Sequence, residues 1–359
     1  MNKIRDALYF AWTIALKDVR DAFMNKGTRT NILVLIGLVF FFYWMSNLRP
    51  FDKEVDVVVL DQGSAKYEFE QTLLGDGSEL SVREASSMEE LEKKMAYQDL
   101  GIILPGDFMQ QLNAGEQIRL PGYVHWAKRG QVSDLESQYS AMFSEQLGVP
   151  VEIEIGENIL LPPFDALGMA STAGFHIYFA IFWMALTVVP FLIIEERQAK
   201  TLDALMVSPA SPGVVVFGKA IAGMLLVITI AGFSIVLNGT YIIHWGWAAV
   251  GFTFTALFAI GLALLLGTLM RNPQHILLWI LPVALVFVVP GFFADEPNLT
   301  QAAKSVLDWL PGVAINRILG FAVSDGSATT NLGISLVIGI TSIVLIYALV
   351  IWQIRRSDR

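Results

Sequence analysis

Six long apolar segments constrain this chain more than any other feature of its sequence. A helix needs about 20 mostly apolar residues to cross about 30 Å of hydrocarbon. Segments of this kind are Asn31–Leu48, Gly168–Ile194, Gly213–Leu237, Trp247–Met270, His275–Phe293 and Asn331–Trp352. Only 16% of the residues are charged, well below the roughly 25% of soluble domains. The pattern predicts an α-helical polytopic membrane protein with six transmembrane helices.

The basic residues between these segments predict the orientation of the chain. Six Lys and Arg residues lie in residues 1–30, and Arg355, Arg356 and Arg359 follow the last segment. Lys219 is counted here with the basic residues that flank the turn after the second segment. Cytoplasmic loops carry an excess of Lys and Arg, and six crossings place all these stretches on one side. We therefore expect both termini in the cytoplasm and residues 49–167 outside.

Two further segments are predicted to lie along the membrane. Ile4–Asn25 has apolar residues at helical spacing with charges on the other face, which is typical of an amphipathic surface helix that contacts lipids. A simple basic anchor within residues 1–30 is the alternative. Residues 294–330 are too polar for a span and too apolar for a free loop. They predict an outer interfacial segment, either two short helices broken at Pro311 or a surface connector.

The long hydrophilic segment between the first two spans, residues 49–167, alternates strand and helix patterns. Its acidic residues outnumber its basic residues more than twofold. The predicted strands are Glu54–Asp61, Leu80–Glu84, Gly101–Pro105, Ile118–His125 and Val151–Ile155. The predicted helices are Ser64–Leu74, Ser86–Gln98 (with Ser87 and Glu90 as a capping box), Gly106–Gly115 and Val132–Leu147. Such alternation predicts an inserted extracytoplasmic α/β domain with its own core.

The chain shows no pattern that would carry a reaction. It contains no GxxxxGK[ST] stretch for a phosphate-binding loop, no cysteine, and no His or acidic cluster at metal spacing. We expect it to be no enzyme, to bind no cofactor or metal itself, and to have no nucleic-acid partner. The predicted spans hold no Asp, Glu or Arg in their interiors. His176 is interpreted as the only titratable side chain that lies well inside the edge of a predicted span. The simplest role for His176 is a single hydrogen bond near the outer interface.

The linker Glu195–Pro212, EERQAKTLDALMVSPASP, is charged and helix-prone, and it lies between the second and third spans. Short connections between membrane helices rarely need such an element unless a partner docks on it. Ser211 and Pro212 fit an N-cap and a first helical residue of the third span. The simplest alternative is a solvated helix at the membrane surface.

The chain resembles the permease subunits of ABC-2 type ABC exporters, in the subgroup with a large extracytoplasmic domain between spans one and two. The resemblance covers nearly all of the sequence. It is carried by EERQAKTLDALMVSPASPGVVVFGKAIAG (Glu195–Gly223), DLGIILPGDFMQQLNAGE (Asp99–Glu116) and WLPGVAINRI (Trp309–Ile318). Lys200 stands where the family usually has Gly before the Thr.

The resemblance implies a coupling helix over residues 195–210 that docks on a separate ABC ATPase subunit. Its expected docking residues are Glu195, Glu196, Arg197, Lys200, Thr201, Leu202, Leu205, Ser208 and Pro209. Because these lie outside the predicted spans, we expect Glu196→Lys and Leu205→Asp to uncouple the complex without affecting the fold.

The resemblance also implies a set of partners and a location. A second permease copy or a paralogue would complete a dimer, and a periplasmic adaptor is a further candidate partner. ATP and Mg would bind in the ATPase subunit. The expected location is the bacterial inner membrane.

Three other functions stay open at this point. One is a membrane-anchored protein whose acidic outer domain binds a ligand or signals without transport. The second is a mechanotransmission subunit, which usually has four spans. The third is an ion-driven transporter, which generally needs ionisable groups inside its spans. The sequence does not name a transported substrate.

Overall fold

The computed structural model describes residues 2–47, 55–61, 80–96, 98–164, 167, 169–198, 211–270, 272–294, 299–326 and 332–357. Its α-helices are α1 (Asn2–Met24), α2 (Lys26–Asn47), α3 (Met88–Lys94), α4 (Phe108–Ala114), α5 (Val132–Leu147), α6 (Met169–Val188), α7 (Phe191–Gln198), α8 (Pro212–Asn238), α9 (Trp245–Leu269), α10 (Pro273–Phe287), α11 (Val289–Phe293), α12 (Gln301–Leu307), α13 (Pro311–Ala322) and α14 (Leu332–Ser357). Its strands are β1 (Val55–Asp61), β2 (Leu80–Ala85), β3 (Leu100–Leu104), β4 (Ile118–His125), β5 (Val151–Glu154) and β6 (Ile159–Leu160).

The chain divides into two compact units. The helical unit contains residues 1–44, 173–322 and 329–359, and the α/β unit contains residues 45–172 and 323–328. The α/β unit is therefore almost entirely the segment between α2 and α6.

Among the described residues of the helical unit, four helices are long and apolar enough to cross a membrane. They are Ala173–Gln198, Pro212–Tyr241, Trp245–Leu269 and Leu332–Arg356. These match the second, third, fourth and sixth predicted spans, so the prediction of an α-helical polytopic membrane protein is confirmed. The first of them is interrupted at Val189 and Pro190, where α6 ends and α7 begins.

The first and fifth predicted spans remain predictions. The first, Asn31–Leu48, falls almost wholly on α2, which extends from Lys26 to Asn47. The fifth, His275–Phe293, is divided by a break at Val288 between α10 and α11. An apolar helical stretch of 14 residues, Leu278–Gly291, is found there, shorter than a full span.

Small residues bring the long helices close together. A Cβ atom added at Gly251 of α9 would lie 2.7 Å from Leu319 Cδ2 of α13. One added at Gly261, also on α9, would lie 2.7 Å from Ile346 Cγ2 of α14. Glycine at such contacts allows helix backbones to approach closely, as is common between membrane helices. These contacts place α9 at the centre of the helical unit.

The segment that follows α11 forms two helices, α12 and α13. Their junction lies at residues 308–310, just before Pro311, as one of the two sequence interpretations predicted. Val313, Ile315 and Ile318 of α13 are buried in the helical unit. The alternative of a mere surface connector is therefore wrong for residues 311–322.

The α/β unit is built on a sheet with the strand order β2-β1-β3-β4-β5, and β6 also pairs with β4. β3 and β4 are antiparallel, whereas the other pairs are parallel. Alternate residues of the strands point into one core with the apolar face of α5, because successive strand side chains face opposite sides of a sheet. Ile102, Leu120 and Phe143 are fully buried in this core.

The predicted strands and helices of this unit are present where the structure describes the chain, but the predicted helix Ser86–Gln98 is the shorter α3, Met88–Lys94, and β6 was not predicted. β4 and α5 have the predicted bounds. Ser87 caps α3 by accepting a hydrogen bond from Glu90 N, whereas the Glu90 carboxylate accepts from Ser86 N, one residue away from the usual capping box. The predicted helix Ser64–Leu74 lies outside the described residues.

Candidate functional site

The predicted coupling residues divide into two groups. Glu195, Glu196 and Arg197 lie on the last turn of α7, which begins at Phe191. The remaining predicted residues lie outside the described part of the chain: Lys200, Thr201, Leu202, Leu205, Ser208 and Pro209. The described site is therefore α7 and the helices that contact it.

A buried lysine of α8 holds α7 in place. Lys219 is fully buried, and its Nζ atom lies 2.8 Å from Glu196 Oε2 and 3.0 Å from Asp18 Oδ2. It also donates a hydrogen bond of 2.7 Å to the backbone oxygen of Leu192. An ammonium group has three donors, so Lys219 joins two carboxylates and a carbonyl from α1 and α7 at once.

A second lysine completes what we call the ionic cluster, which consists of Lys17, Asp18, Glu196 and Lys219. Lys17 Nζ of α1 lies 3.2 Å from Glu196 Oε1, on the more exposed side, where 55% of the Lys17 side chain is accessible to solvent. The cluster holds two positive and two negative groups. A buried charge is tolerated only when it is paired in this way.

The pKa values of the two α1 residues reflect this environment. Burial raises the pKa of Asp18, and the neighbouring Glu196 adds to the rise, whereas Lys219 opposes it. Partial burial alone would lower the pKa of Lys17, but the carboxylates of Glu196, Asp18 and Asp21 outweigh it and raise this pKa. Lys17 therefore stays charged beside Glu196.

The sequence of α1 explains why its carboxylate reaches Lys219. Ala11, Ile14, Ala15, Asp18 and Ala22 are buried and recur at helical spacing, so they form one face of α1. Opposite this face, α8 carries Gly218, where an added Cβ would lie only 2.8 Å from the backbone oxygen of Ala11. The small residues let the two helices touch, and Asp18 is thereby placed beside Lys219.

The buried face of α1 attaches this helix to the rest of the helical unit. The sequence predicted an amphipathic surface helix, and its buried face is in fact packed on α8. Large apolar residues such as Leu8, Trp12 and Leu16 remain exposed on other sides of the helix.

Two further contacts connect α7 to its neighbours. Asn25, which follows α1, donates a hydrogen bond of 3.0 Å to Glu195 Oε1. Arg197 donates one of 3.0 Å to the backbone oxygen of Thr268, in the last turn of α9, where a cation is favoured by the helix dipole. The break before α7 also packs on α9, because a Cβ added at Gly267 would lie 2.7 Å from Pro190 O. α7 is thus bound to α1, α8 and α9 together.

Two sequence-based interpretations need correction here. Lys219 is not a flanking residue, since it is the eighth residue of the apolar helix α8 and belongs with the ionisable groups inside the spans. Glu196 is turned inward, so its carboxylate does not reach a partner without breaking its ion pairs. Glu196→Lys is therefore expected to affect the fold, contrary to the sequence-based expectation.

Asp18 and Lys17 were missed as site residues. The signal that would have found them is the lysine within α8, since a charged residue in an apolar helix requires a partner.

Two smaller predictions at these helices are also resolved. His176 forms a hydrogen bond with Asn238, in agreement with its predicted structural role. Ser211 precedes Pro212 at the start of α8 as predicted, but its side chain makes no capping hydrogen bond. Among the described residues, no three His, Asp or Glu side chains are grouped so that they could hold a metal ion.

The four apolar helices and the ionic cluster at the α7 junction define a multi-pass membrane protein whose helices are tied together next to a charged linker. Comparison with protein families identifies the family to which this membrane protein belongs. The family profile described as ABC-2 family transporter protein matches residues 26–352, and the chain belongs to this family. The family is the transmembrane permease component of ABC transporters, which implies an ABC ATPase as partner. No curated protein matches the chain.

Proposed function

We propose that this chain is the permease subunit of an ATP-driven ABC exporter of the subgroup with an extracytoplasmic α/β domain. It would lie in the bacterial inner membrane with six spans, both termini in the cytoplasm and residues 49–167 outside. Two permeases, identical or paralogous, would form the path, and separate subunits would bind ATP and Mg. Membrane lipids would surround the spans, and a periplasmic adaptor is a further candidate partner.

The observation that carries the proposal is the attachment of α7 to three other helices. Because the last turn of α7 is the first part of the charged linker, a partner that moves the linker also moves α7. The ionic cluster and the Arg197 contact then pass this movement to α1, α8 and α9. A solvated surface helix would need none of these buried contacts, since exposed ion pairs contribute little.

The contacts of α7 with α1, α8 and α9 suggest that the two parts of the predicted coupling helix have different roles. Glu195, Glu196 and Arg197 form its base, which faces the other helices of this chain. Lys200, Thr201, Leu202, Leu205, Ser208 and Pro209 would form the surface that docks on the ATPase. Lys200 offers a charge-assisted contact, and Leu202 and Leu205 offer an apolar one.

The test is Leu205→Asp in the permease co-expressed with its ABC ATPase. A carboxylate in an apolar seat is costly to desolvate, so co-purification of the ATPase should fall at least tenfold. The matched control is Val306→Asp on α12, an exposed apolar residue that this proposal places at the opposite side. Wild-type co-purification of both variants would contradict the docking assignment.

The same preparation separates transport from the alternatives. Wild-type permease in vesicles with the ATPase should show ATP-dependent movement of a substrate from a panel of dyes, lipids and peptides. A membrane-anchored binding or signalling protein, or a mechanotransmission subunit, predicts no such movement across the membrane.

A further inference from the structure

The break between α10 and α11 leaves backbone oxygens without their helical partners. Pro290 has no N–H, so Val286 O loses the donor four residues on. Gly291 N bonds to Val288 O instead of Phe287 O, and Phe287 O therefore needs another donor. A buried carbonyl without a partner is costly.

Side chains from two other helices supply donors on either side of this break. Before it, the Tyr178 hydroxyl of α6 donates to Phe287 O at 2.8 Å. After it, Asn316 Nδ2 of α13 donates to Gly291 O at 2.8 Å. We call this arrangement of Tyr178, Phe287, Gly291, Gly312 and Asn316 the carbonyl joint.

The Tyr178 hydroxyl faces acceptors on two different helices. Gly312 O, in the first turn of α13, lies 3.2 Å from Tyr178 Oη, slightly farther than Phe287 O. A hydroxyl has one proton, so it donates to one carbonyl at a time, and a rotation of the O–H bond exchanges them. In this structure the Tyr178 hydroxyl therefore lies closer to Phe287 O of α10, and Gly312 O of α13 is a second acceptor within hydrogen-bond distance.

The close approach of the two helices is set by Gly312. A Cβ added there would lie 1.9 Å from Phe287 O, so no larger residue fits without separating α10 from α13. A largely buried tyrosine in this unit does not always have its hydroxyl hydrogen-bonded. Tyr347 of α14 is also largely buried, and its hydroxyl has no hydrogen-bond partner among the described residues.

We propose that Tyr178 is a positioning residue of the transport cycle: its hydroxyl connects α6 to the α10–α11 break, so that movement at α7 is delivered to the carbonyl joint. Along α6 and α7, with the break at Val189 and Pro190 between them, Tyr178 and Glu195 are at most about 25 Å apart at 1.5 Å per residue. The ionic cluster lies at the α7 end of this pair of helices, and the carbonyl joint lies beside Tyr178 on α6. Discontinuous helices are common at the binding sites of transporters, and packed interfaces switch between discrete arrangements. This inference rests on the proposed exporter function.

The test uses a fluorescent label on α11. The chain contains no cysteine, so Val289→Cys, at a position 37% exposed, gives one defined labelling site. The labelled permease with its ATPase is compared without nucleotide and after trapping with ATP and vanadate. Emission should change on trapping. Adding Tyr178→Phe should reduce this change at least fivefold, while the melting temperature falls only by the small amount that one lost buried hydrogen bond explains.

Two controls separate the hydroxyl bond from general packing. Tyr347→Phe removes a hydroxyl of the same kind that has no hydrogen-bond partner in the described part of the chain, and it should leave the emission change intact. Asn316→Leu removes the hydrogen bond from α13 to Gly291 O within the carbonyl joint and should reproduce the effect of Tyr178→Phe. An emission change that survives Tyr178→Phe, or that is absent before any substitution, would overturn the proposal.

A measurement on the permease alone keeps this inference distinct from the exporter proposal. Tyr178→Phe should speed hydrogen exchange of the amides of Val288, Val289 and Gly291 about fivefold to tenfold, the effect of losing one buried hydrogen bond, and Tyr347→Phe should not. If the ATPase fails to bind the wild-type chain, the exporter function is refuted on that ground. Unchanged exchange in Tyr178→Phe refutes the carbonyl joint whatever the ATPase does.

Discussion

Lys219 is the residue whose loss should do most damage to the ionic cluster. Lys219→Met keeps the length and most of the volume of the side chain while it removes the charge. Asp18 and Glu196 then face each other without the ammonium group that lies between them, and Leu192 O loses a donor. Glu196 retains Lys17, but Asp18, at 4% exposure, has no other ion pair among the described residues.

The expected loss follows from the burial of the pair. Removing one partner of a buried ion pair costs about 3–5 kcal/mol, because an uncompensated charge stays behind. Part of this loss is avoided if Asp18 takes up a proton, which its raised pKa makes easier. We therefore expect Lys219→Met to lower the free energy of unfolding by about 3 kcal/mol, and Lys219→Met with Asp18→Asn to recover part of that loss.

The assay is unfolding of the purified chain in detergent, with Lys93→Met as the matched control. Lys93 forms an exposed pair with Glu89 one turn earlier on α3, at 3.0 Å, and such pairs contribute about 0.3–0.5 kcal/mol. A loss in Lys219→Met that is no larger than in Lys93→Met would refute the burial argument. A double variant that is less stable than Lys219→Met alone would also refute it, because neutralising Asp18 should remove the unpaired buried charge and recover stability.

Two further predictions concern the α1–α8 contact and the α/β unit. Gly218→Ala places a Cβ 2.8 Å from Ala11 O and should loosen α1 by about 1–3 kcal/mol. We expect this as at least about fivefold faster labelling of a cysteine placed at Ala15. Gly232→Ala on the same helix meets no atom within 4 Å and should leave the labelling rate unchanged. Burial, with a smaller contribution from Lys128, lowers the pKa of His125 to about 4, below its value of about 6.5 in the unfolded chain. The neutral ring, whose Nδ1 accepts from Ala127 N, therefore stabilises the α/β unit fully above pH 6.5, and about 3 kcal/mol is lost as the pH falls from 6.5 to 4. Hydrogen exchange of β4 amides, corrected for the intrinsic pH dependence, measures this loss, and His125→Asn should abolish it; an unchanged slope would contradict the assignment to His125.

The long helices and the α/β elements could be predicted because each depends on local pattern. β4 alternates more and less buried residues along Ile118–Val124, and α5 ends at Leu147, just before Gly148, whose φ of 69° suits glycine. The break at Val288 was not predicted, although Pro290 follows it closely. A proline kinks or breaks a helix depending on whether other groups satisfy the freed carbonyls. Here Tyr178, which is distant in sequence, bonds Phe287 O, the carbonyl left free when Gly291 N bonds to Val288 O. Local pattern alone therefore does not decide the outcome.

The ionic cluster shows why the predicted site was only partly right. The charged linker was recognised from its composition, but composition does not tell which charges face a partner and which face the chain itself. Lys219 decides this for Glu196, because a lysine buried within α8 needs a carboxylate nearby. Asp18 becomes a candidate once α1 is drawn as a helix, since it shares a face with Ala11 and Ala15 and the rest of that face is small and apolar. A carboxylate on an otherwise apolar packing face and a lysine inside an apolar helix each require a partner, and pairing them would have docked α1 on α8 from the sequence alone.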